Sequence, residues 1–287
     1  MRLYLINAQG EPALAVRSHD NRFILLETPV GTPCRKLSDI FLYNKNERER
    51  MLRLSYDTAA GFRSFLSDDV SIYSPIEGSR EDIICLAENY KSSPEASMPE
   101  SVNTVYFSKR FSHAVGDGGI IPAHGGLVQK LDYEAELLVI LGEEVCNASE
   151  EEALQAVFGY SVINDVSARD LQARHKQWYR GKSLDGFTAV GPCIVTADEI
   201  DDVHDLEICT TVNGVIRQHS STACMIKRVG AVIAELSQGM TLRAGTMIAT
   251  GTPPGCGKDQ SPPRFLKSGD TVCCCIGNIG TLTNIIG

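Results

Sequence analysis

Short apolar runs alternate with turn residues along the first forty residues of the chain. RLYLI, ALAVR and FILLE are separated by polar segments that contain Gly, Pro, Asn and Asp. Runs of this length between turn signals are typical of antiparallel strands. A longer polar stretch, NKNERERMLRLSYDTAAGFRSFL, follows and predicts a helix. We place a domain boundary near residue 75, so that residues 1–75 form a small N-terminal β domain.

The second part of the chain, residues 76–287, contains many short apolar runs and few helical patterns. Asn213-Gly214 lies between two of these runs and indicates a hairpin, because both residues tolerate positive φ. Together these features predict a β-rich mixed α+β fold. The strands are predicted at AELLVILG, FGYSVINDV, VGPCIVTA, LEICTTV, VIRQHS, MIATG and DTVCCCI.

Three segments of this second part carry helical patterns. SEEEALQAVF begins with Ser149 and has Glu152 three residues on, which is a capping-box pattern. SARDLQARHKQW begins with Ser167 and has Asp170 at the same spacing. TACMIKRVGAVIAELSQ carries an apolar stripe with helical spacing. We therefore expect short helices at these three places.

Composition and charge restrict the kind of partner. The chain has 287 residues and a formal net charge of −9, so it gains nothing from the phosphates of nucleic acids. It contains no apolar run of eighteen residues, and MRLYLINAQG has no secretory signal pattern. Its ten cysteines include no Cys-x-x-Cys pair, which fits small hydrophobic side chains in a reducing compartment. We expect a cytoplasmic protein that binds neither nucleic acid nor a membrane.

Acidic side chains alternate with apolar ones in LDYEAELLVIL, residues 131–141. If this stretch is one strand, Asp132, Glu134 and Glu136 share a face. Neighbouring carboxylates on a half-buried face repel each other and lose hydration, and a divalent cation would compensate them. The alternative interpretation is a solvated face at a sheet edge, where acids discourage aggregation.

A third carboxylate favours the metal interpretation. Asp165 ends the apolar run YSVIND and precedes the helix predicted at SARDLQ. Arg169 and Gln172 are three residues apart, so they share a face of the first turn of that helix. An Asp, an Arg and a Gln at one strand-to-helix corner suit an anionic ligand bound to a metal. Lys182 follows beside Asp185 in a glycine-flanked loop.

Two glycine-rich segments do not match nucleotide-binding patterns. GTPPGCGK has five residues between Gly251 and Gly257, and an Asp follows its Lys, so it is not a phosphate loop. GDGGIIPAHGG has Ile121 where a dinucleotide pattern needs its third glycine. The IATGTPPG turn instead places Thr250 and Thr252 among Gly and Pro, where hydroxyls and backbone amides can meet a carboxylate.

Eight motifs in the same order resemble the fumarylacetoacetate hydrolase family. The resemblance covers about residues 80–287 and implies a β-rich domain of mixed sheets rolled around the site, with a small N-terminal domain and a homodimeric assembly. The motifs are YFSK (106–109), LDYEAEL (131–137), GYSVINDVSARDLQ (159–172), QWYRGKSLDGF (177–187), GP (191–192), VNG with RQ (212–218), MTLRAGTMIATGTPPG (240–255) and FLKSGD (265–270).

The resemblance implies a site for Mg²⁺ or Mn²⁺. The family's Glu-x-Glu pair and later Asp fall on Glu134, Glu136 and Asp165. Lys182 matches the lysine that acts on the substrate's oxyanion or in proton transfer. We expect that Glu134→Ala or Asp165→Ala abolishes metal binding and leaves the fold largely intact.

The resemblance also implies a small-molecule substrate, a 2-oxo or β-diketo acid. Arg169 and Gln172 match residues that orient a 2-oxo acid, and Thr252 matches the threonine that holds its carboxylate. A 2-oxo acid chelates a metal through its carboxylate and ketone oxygens, and the metal stabilises the enolate that forms when a C–C or C–H bond breaks.

One motif departs from the family pattern. Many members carry NYxxH, with a Glu three residues after the His, in a segment that closes as a lid and activates water. Here Asn89 and Tyr90 match, but Ser93 stands in place of the His and Ala96 in place of the Glu. Glu95, one position early, is a possible substitute. His113 is another candidate base, although nothing in the sequence places it at the site.

These observations leave several functions open. Our first interpretation is a divalent-metal enzyme that cleaves a C–C bond, as fumarylacetoacetate and acylpyruvate hydrolases do. Because the family's His is absent, the alternatives are an oxaloacetate decarboxylase or a keto–enol tautomerase or isomerase, whose chemistry needs only the enolate. A protein that binds a metal and a 2-oxo acid without turnover is the alternative outside enzymes.

Overall fold

A computed structural model describes residues 1–57, 63–76, 82–93, 96–97 and 104–287. The described helices are α1 (Leu37–Ile40), α2 (Lys45–Asp57), α3 (Glu150–Gln155), α4 (Arg169–His175), α5 (Tyr179–Lys182) and α6 (Val229–Ser237). The described strands are β1 (Arg2–Ala8), β2 (Glu11–Arg17), β3 (Arg22–Leu25), β4 (Ser64–Leu66), β5 (Ile72–Tyr73), β6 (Ile83–Ala87), β7 (Val105–Lys109), β8 (Ile120–Ile121), β9 (Leu131–Asp132), β10 (Ala135–Leu141), β11 (Val157–Asp165), β12 (Ser167–Ala168), β13 (Thr188–Thr196), β14 (Glu207–Val212), β15 (Val215–Ser221), β16 (Met247–Ala249), β17 (Thr271–Ile276) and β18 (Gly280–Ile286).

The strands form three sheets, which confirms the predicted β-rich mixed α+β class. The largest has the order β4-β3-β2-β1-β13-β11-β10-β16-β6-β7, and β5 also pairs with β1. A second sheet has the order β15-β14-β17-β18-β8, and β12 pairs with β9 in a third. Most neighbours are antiparallel, whereas β16–β6 and β18–β8 are parallel, so the sheets are mixed.

The first strands of the chain are predicted correctly as an antiparallel set, and they also join the large sheet. Arg2 of β1 lies opposite Val195 of β13, so the hydrogen-bond ladder continues from the N-terminal strands into the strands that carry the acids. The division at residue 75 remains a prediction. None of the described helices is long and apolar enough to cross a membrane.

Two hydrophobic cores hold the sheets in place. One contains Val162, Ile208 and Leu282, which come from the large sheet and the five-stranded sheet. The other contains Ile24 and Met51 and lies against the N-terminal helices. The strands that carry the acids are thus enclosed between two apolar layers, which fixes where their polar side chains can go.

The acidic stretch at 131–141 is not the single strand that its alternation predicts. It divides into β9, which pairs with β12, and β10, which pairs with β11 and β16. All seven residues of β10 are buried, and the strand lies inside the large sheet. The interpretation as a wet edge strand is therefore wrong. Tyr133 and Glu134 form the break between the two strands, and the Glu134 carbonyl accepts a hydrogen bond from the Asp165 amide at 2.8 Å.

The two predicted capping boxes have different outcomes. At α3, the Ser149 hydroxyl accepts from the Glu152 amide at 3.3 Å, and the Glu152 carboxylate accepts from the Ser149 amide at 2.8 Å, as predicted. The box at Ser167 is wrong, because Ser167 pairs in β12 and its hydroxyl donates to the Asp165 carbonyl at 3.0 Å. The Asp170 carboxylate accepts from the Gln129 amide instead.

The remaining local predictions are partly correct. Asn213 and Gly214 turn between β14 and β15 with φ of 52° and 75°, as the hairpin prediction requires. The helix predicted after β3 extends too far, because Ser64–Leu66 form a strand that pairs with β3. The apolar stripe after β15 forms a helix only over Val229–Ser237. At Ser64–Leu66, pairing with β3 outweighed the local helical pattern.

Candidate active site

Three buried carboxylates converge where β10 begins and β11 ends. The antiparallel pairing of Ala135 with Asn164 places Glu134, Glu136 and Asp165 at the same end of the sheet. Each of the three offers an oxygen, and these oxygens all lie within 4.8 Å of one another. The structure therefore brings together the three acids that the sequence resemblance implies as metal ligands, and hard carboxylate oxygens are the donors that Mg²⁺ and Mn²⁺ prefer.

Lys182, at the end of α5, reaches into this cluster. Its side chain is 2% exposed, and its Nζ donates to Oε2 of Glu134 and to Oδ2 of Asp165. Burial alone would lower the pKa of Lys182, but the carboxylates of Asp165, Glu134 and Glu136 outweigh burial and raise it. The lysine is thus held as an ammonium ion beside the carboxylates, where it can donate a proton or a hydrogen bond.

Arg169 joins the cluster to an outer acid. Its Nε donates to Oδ2 of Asp132 at 2.8 Å, and its Nη2 lies 2.6 Å from Oε1 of Glu134. Its Nη1 donates to Oε1 of Gln172 at 3.2 Å, so the pair predicted to share a helical face is in contact. Asp132 lies outside the three-carboxylate cluster and also accepts from the Gly257 amide at 2.7 Å, which ties Arg169 to the loop after β16.

Lys109 is a buried cation that we did not predict as part of the site. It ends β7 with 0% exposure, and its Nζ lies 2.7 Å from Oδ1 of Asp165. The same Nζ donates to the Lys182 carbonyl at 2.6 Å. Burial lowers the pKa of Lys109, while Asp165 opposes that effect. The signal in the sequence was a lysine at the end of a strand within the YFSK motif.

We expect Lys109→Met to lower the free energy of unfolding by about 3–5 kcal/mol, because it leaves Asp165 buried without that cation. Urea denaturation monitored by circular dichroism measures this change. Lys267→Met is the matched control, since Lys267 is exposed. A Lys109→Met protein as stable as the control would contradict the assigned ion pair.

Glu136 is the member of the cluster without a cationic partner. It is 1% exposed and accepts from the Gly251 amide at 2.8 Å, and no Lys, Arg or His of the described ranges lies within 4.0 Å of it. Burial, Asp165 and Glu134 raise the pKa of Glu136 well above its ordinary value. Glu134 differs, because Lys182 and Arg169 outweigh its burial and lower its pKa to about 2.

The charges of the site leave room for a cation. Four buried carboxylates, those of the cluster and Asp132, face the three cations of Lys109, Lys182 and Arg169. An unpaired buried carboxylate is costly unless it is protonated or coordinates a metal. The donor set and its excess negative charge therefore fit a divalent ion at the three-carboxylate cluster.

The turn after β16 is fixed against β10. The Thr250 hydroxyl donates to the Leu137 carbonyl at 3.0 Å, and the Thr252 hydroxyl donates to the Ala135 carbonyl at 2.8 Å. Gly251 between them has φ of +90°, which a side chain would strain, and its amide is the donor that holds Glu136. The hydroxyl protons of both threonines thus serve the turn, and Thr252 also lines the space above the cluster.

A cleft of about 540 Å³ opens above the carboxylates. Its floor is polar and its walls are partly aromatic, because Phe107 and Trp178 pack edge to face with centroids 5.2 Å apart. This size and mixture of surfaces suit a small acid. The lining residues are Leu86, Ala87, Glu88, Tyr90, Phe107, Glu134, Glu136, Arg169, Gln172, Trp178, Lys182, Thr252, Pro253, Pro254, Cys256, Lys258 and Asp259.

The segment that departs from the family pattern starts beside this cleft. The Asn89 amide group donates to the Thr250 carbonyl at 2.9 Å, and its oxygen accepts from the Lys227 amide at 2.8 Å. Ser93 is half-buried, and its carbonyl accepts from the Ala96 amide at 3.1 Å. Glu95, which we considered as a substitute base, lies outside the described residues.

His113, the other candidate base, is not at the cleft. It is exposed, contacts the Ser112 hydroxyl at 3.0 Å and lines a separate cavity together with Ser74. The chain's six histidines all fall within the part of the structure that is described, and none of them lines the cleft.

The chain thus combines mixed sheets with a cleft that is built on three buried carboxylates and a buried lysine. Residues 82–286 match the family model for fumarylacetoacetate (FAA) hydrolase, C-terminal. This chain belongs to the fumarylacetoacetate hydrolase family of enzymes.

Curated and solved relatives agree with this assignment. Oxaloacetate tautomerase YisK of Bacillus subtilis (strain 168) is 38% identical over 284 residues, which cover 96% of this chain and 93% of the relative. Oxaloacetate tautomerase fahd2, mitochondrial, of Xenopus laevis is 41% identical over 221 residues, or 75% and 68% of the two chains. The structure of a fumarylacetoacetate hydrolase from psychrophilic Exiguobacterium antarcticum matches with a TM-score of 0.87 and 34% identity, over 100% of this chain and 99% of that one.

Proposed function

We propose that this protein is a divalent-metal-dependent keto–enol tautomerase of a small 2-oxo dicarboxylic acid, with oxaloacetate as the first candidate. The observation that carries the proposal is the convergence of Glu134, Glu136 and Asp165 under a cleft that Lys182 also lines. Two relatives named as oxaloacetate tautomerases support the choice of reaction and substrate. From the sequence, C–C cleavage was our first interpretation and tautomerisation was one of its alternatives, and we now favour tautomerisation.

The reaction asks little of the protein beyond proton transfer and charge stabilisation. Keto–enol conversion moves one proton between C3 and the oxygen on C2 and breaks no bond between heavy atoms. C–C hydrolysis needs in addition an activated water molecule, and Ser93 stands where the family's His would help to activate it. The residues at this cleft therefore match the demands of tautomerisation better than those of hydrolysis.

The chain's own residues have separate roles in the proposal. Glu134, Glu136 and Asp165 would hold Mg²⁺ or Mn²⁺. When bound, the ion supplies Lewis-acid stabilisation of the negative charge that develops on the 2-oxo oxygen. The ammonium group of Lys182, buried beside two of these carboxylates, is placed to donate a proton or hydrogen bond to that oxygen.

Polar groups at the edge of the carboxylate cluster would orient the substrate. Arg169 offers a cation to a substrate carboxylate, and its contacts with Asp132 and Gln172 fix its direction. Thr252 lines the same cleft, on a turn that is bonded to β10. The aromatic rings of Phe107 and Trp178 line the same cleft, and the Phe107 ring centroid lies 5.3 Å from Nζ of Lys182.

The test is to follow the ultraviolet absorbance of enol oxaloacetate with Mg²⁺ or Mn²⁺ and, in parallel, with EDTA. We expect the metal-loaded protein to speed keto–enol equilibration in both directions without releasing pyruvate. Release of pyruvate at the same rate would identify a decarboxylase, and cleavage of acylpyruvates would identify a hydrolase. Binding of oxaloacetate without any of these reactions would identify a binding protein.

The predicted homodimer also remains a proposal. Size-exclusion chromatography with light scattering measures the mass of the assembly directly. We expect twice the chain mass of 31.2 kDa.

A further inference from the structure

The phenol of Tyr90 lies in an unusual environment. The side chain is 8% exposed and lines the cleft, yet within the described part of the chain its hydroxyl forms no hydrogen bond of good geometry. Buried hydroxyl groups in proteins nearly always have a partner, because losing water without a replacement is unfavourable. Each exception therefore calls for an explanation, and a ligand that completes the bond is one.

Glu136 and Thr250 are the described side chains that influence the Tyr90 phenol. Burial raises the pKa of Tyr90, the negative charge of Glu136 adds to this increase, and a close contact with the Thr250 hydroxyl opposes it. Thr250 already donates its proton to the Leu137 carbonyl, so it could only accept from the phenol, and its contact with the phenol falls outside hydrogen-bond geometry. The phenol is thus kept in its neutral form, in which it can donate a hydrogen bond.

The backbone around Tyr90 is held by hydrogen bonds on both sides. On one side the Asn89 carbonyl accepts from the Ile226 amide at 2.8 Å, and on the other the Lys91 amide donates to the Cys224 carbonyl at 2.9 Å. Tyr90 itself forms a β-bridge with Met225. The fold therefore fixes the backbone from which the ring extends to line the cleft.

We propose that Tyr90 is a further catalytic residue, whose hydroxyl donates a hydrogen bond to an oxygen of the acid bound in the cleft. The inference rests on the proposed function for the use of the cleft by a 2-oxo acid. It adds a neutral donor to the charged donors Lys182 and Arg169. A donor aimed at an oxygen that gains negative charge during enolisation stabilises the transition state more than the ground state.

The test is Tyr90→Phe, which removes only the hydroxyl. With oxaloacetate, we expect kcat to fall by about 10- to 100-fold, and KM to change by less than threefold. With oxalate, a planar dianion that resembles the enolate, we expect the dissociation constant measured by calorimetry in the presence of Mn²⁺ to rise about tenfold. The affinity for Mn²⁺ alone should stay within twofold, and the melting temperature in EDTA should not fall, because an unpartnered hydroxyl has been removed.

Tyr106→Phe is the matched control, since the Tyr106 hydroxyl donates to Glu235 at 2.7 Å and does not line the cleft. It should leave kcat and oxalate binding unchanged. Unchanged kcat and oxalate affinity in Tyr90→Phe would overturn the proposal, and so would a loss of Mn²⁺ binding, which would show a role in holding the site together. If the wild type does not tautomerise oxaloacetate, the proposed function fails, but the oxalate comparison still tests Tyr90.

Discussion

Glu136→Gln should weaken Mn²⁺ binding by about 100-fold or more and bring oxaloacetate tautomerisation to the background rate. Loss of a residue that merely supports a ligand costs about 10- to 100-fold in metal affinity, and loss of a ligand itself should cost at least the upper end of that range. Calorimetric titration with Mn²⁺ and the enol absorbance assay measure the two effects.

Glu136 is a better position for this test than its neighbours. Glu134 and Asp165 each hold buried cations, so Glu134→Ala or Asp165→Ala would leave those cations unpaired. From the sequence we expected either alanine variant to leave the fold largely intact. With these ion pairs, we instead expect each substitution to lower the free energy of unfolding by about 3–5 kcal/mol. Glu136 has no such partner among the residues that the structure describes, and glutamine keeps its shape.

A second measurement on Glu136→Gln separates loss of a ligand from loss of the fold. In EDTA the variant should be more stable than the wild type, by about 1–3 kcal/mol, because a buried carboxylate without a counter-ion has been replaced by a neutral group. Glu88→Gln is the matched control, since Glu88 lines the same cleft but is exposed. Wild-type Mn²⁺ affinity in Glu136→Gln would contradict the ligand assignment.

The sequence predicted the class of fold and most strand positions, because apolar runs between turn residues are a local signal. It failed where pairing between distant segments decides the conformation. Residues 131–141 were predicted as one strand, but β9 pairs with β12 and β10 pairs with β11, so the strand is interrupted at Tyr133 and Glu134. Similarly, Ser167 read as a helix cap, although its pairing with Asp132 holds it in an extended conformation.

The candidate site was predicted in part, for the same physical reason. The resemblance to a family named the three acids, and the structure places their oxygens within 4.8 Å of one another. No local sequence pattern shows which buried cation forms an ion pair with which carboxylate. Lys109, 56 positions before Asp165, came into the site only through the folded strand order. The unpartnered hydroxyl of Tyr90 likewise becomes visible only when its surroundings are known.

Lys182→Met should reduce kcat for oxaloacetate by about 10²- to 10⁴-fold, the range that a positioned proton donor contributes. The ammonium group bonds to Oε2 of Glu134 and Oδ2 of Asp165, and methionine fills a similar space without a charge or a donor. Stopped-flow or steady-state enol absorbance measures kcat, with each variant saturated with Mn²⁺.

Lys182→Met, unlike Glu136→Gln, should not weaken the binding of Mn²⁺. Lys182 is a positive charge that bonds to two of the carboxylates, so its removal leaves Glu134 and Asp165 with more negative charge to offer a cation. Mn²⁺ should therefore bind Lys182→Met at least as tightly as it binds the wild type. Lys258→Met, which removes an exposed lysine from the same cleft, is the matched control and should keep kcat within about threefold. A Lys182→Met enzyme that retains more than a tenth of the wild-type kcat would exclude Lys182 as the proton donor, and weaker Mn²⁺ binding would mean that the lysine maintains the carboxylate cluster instead.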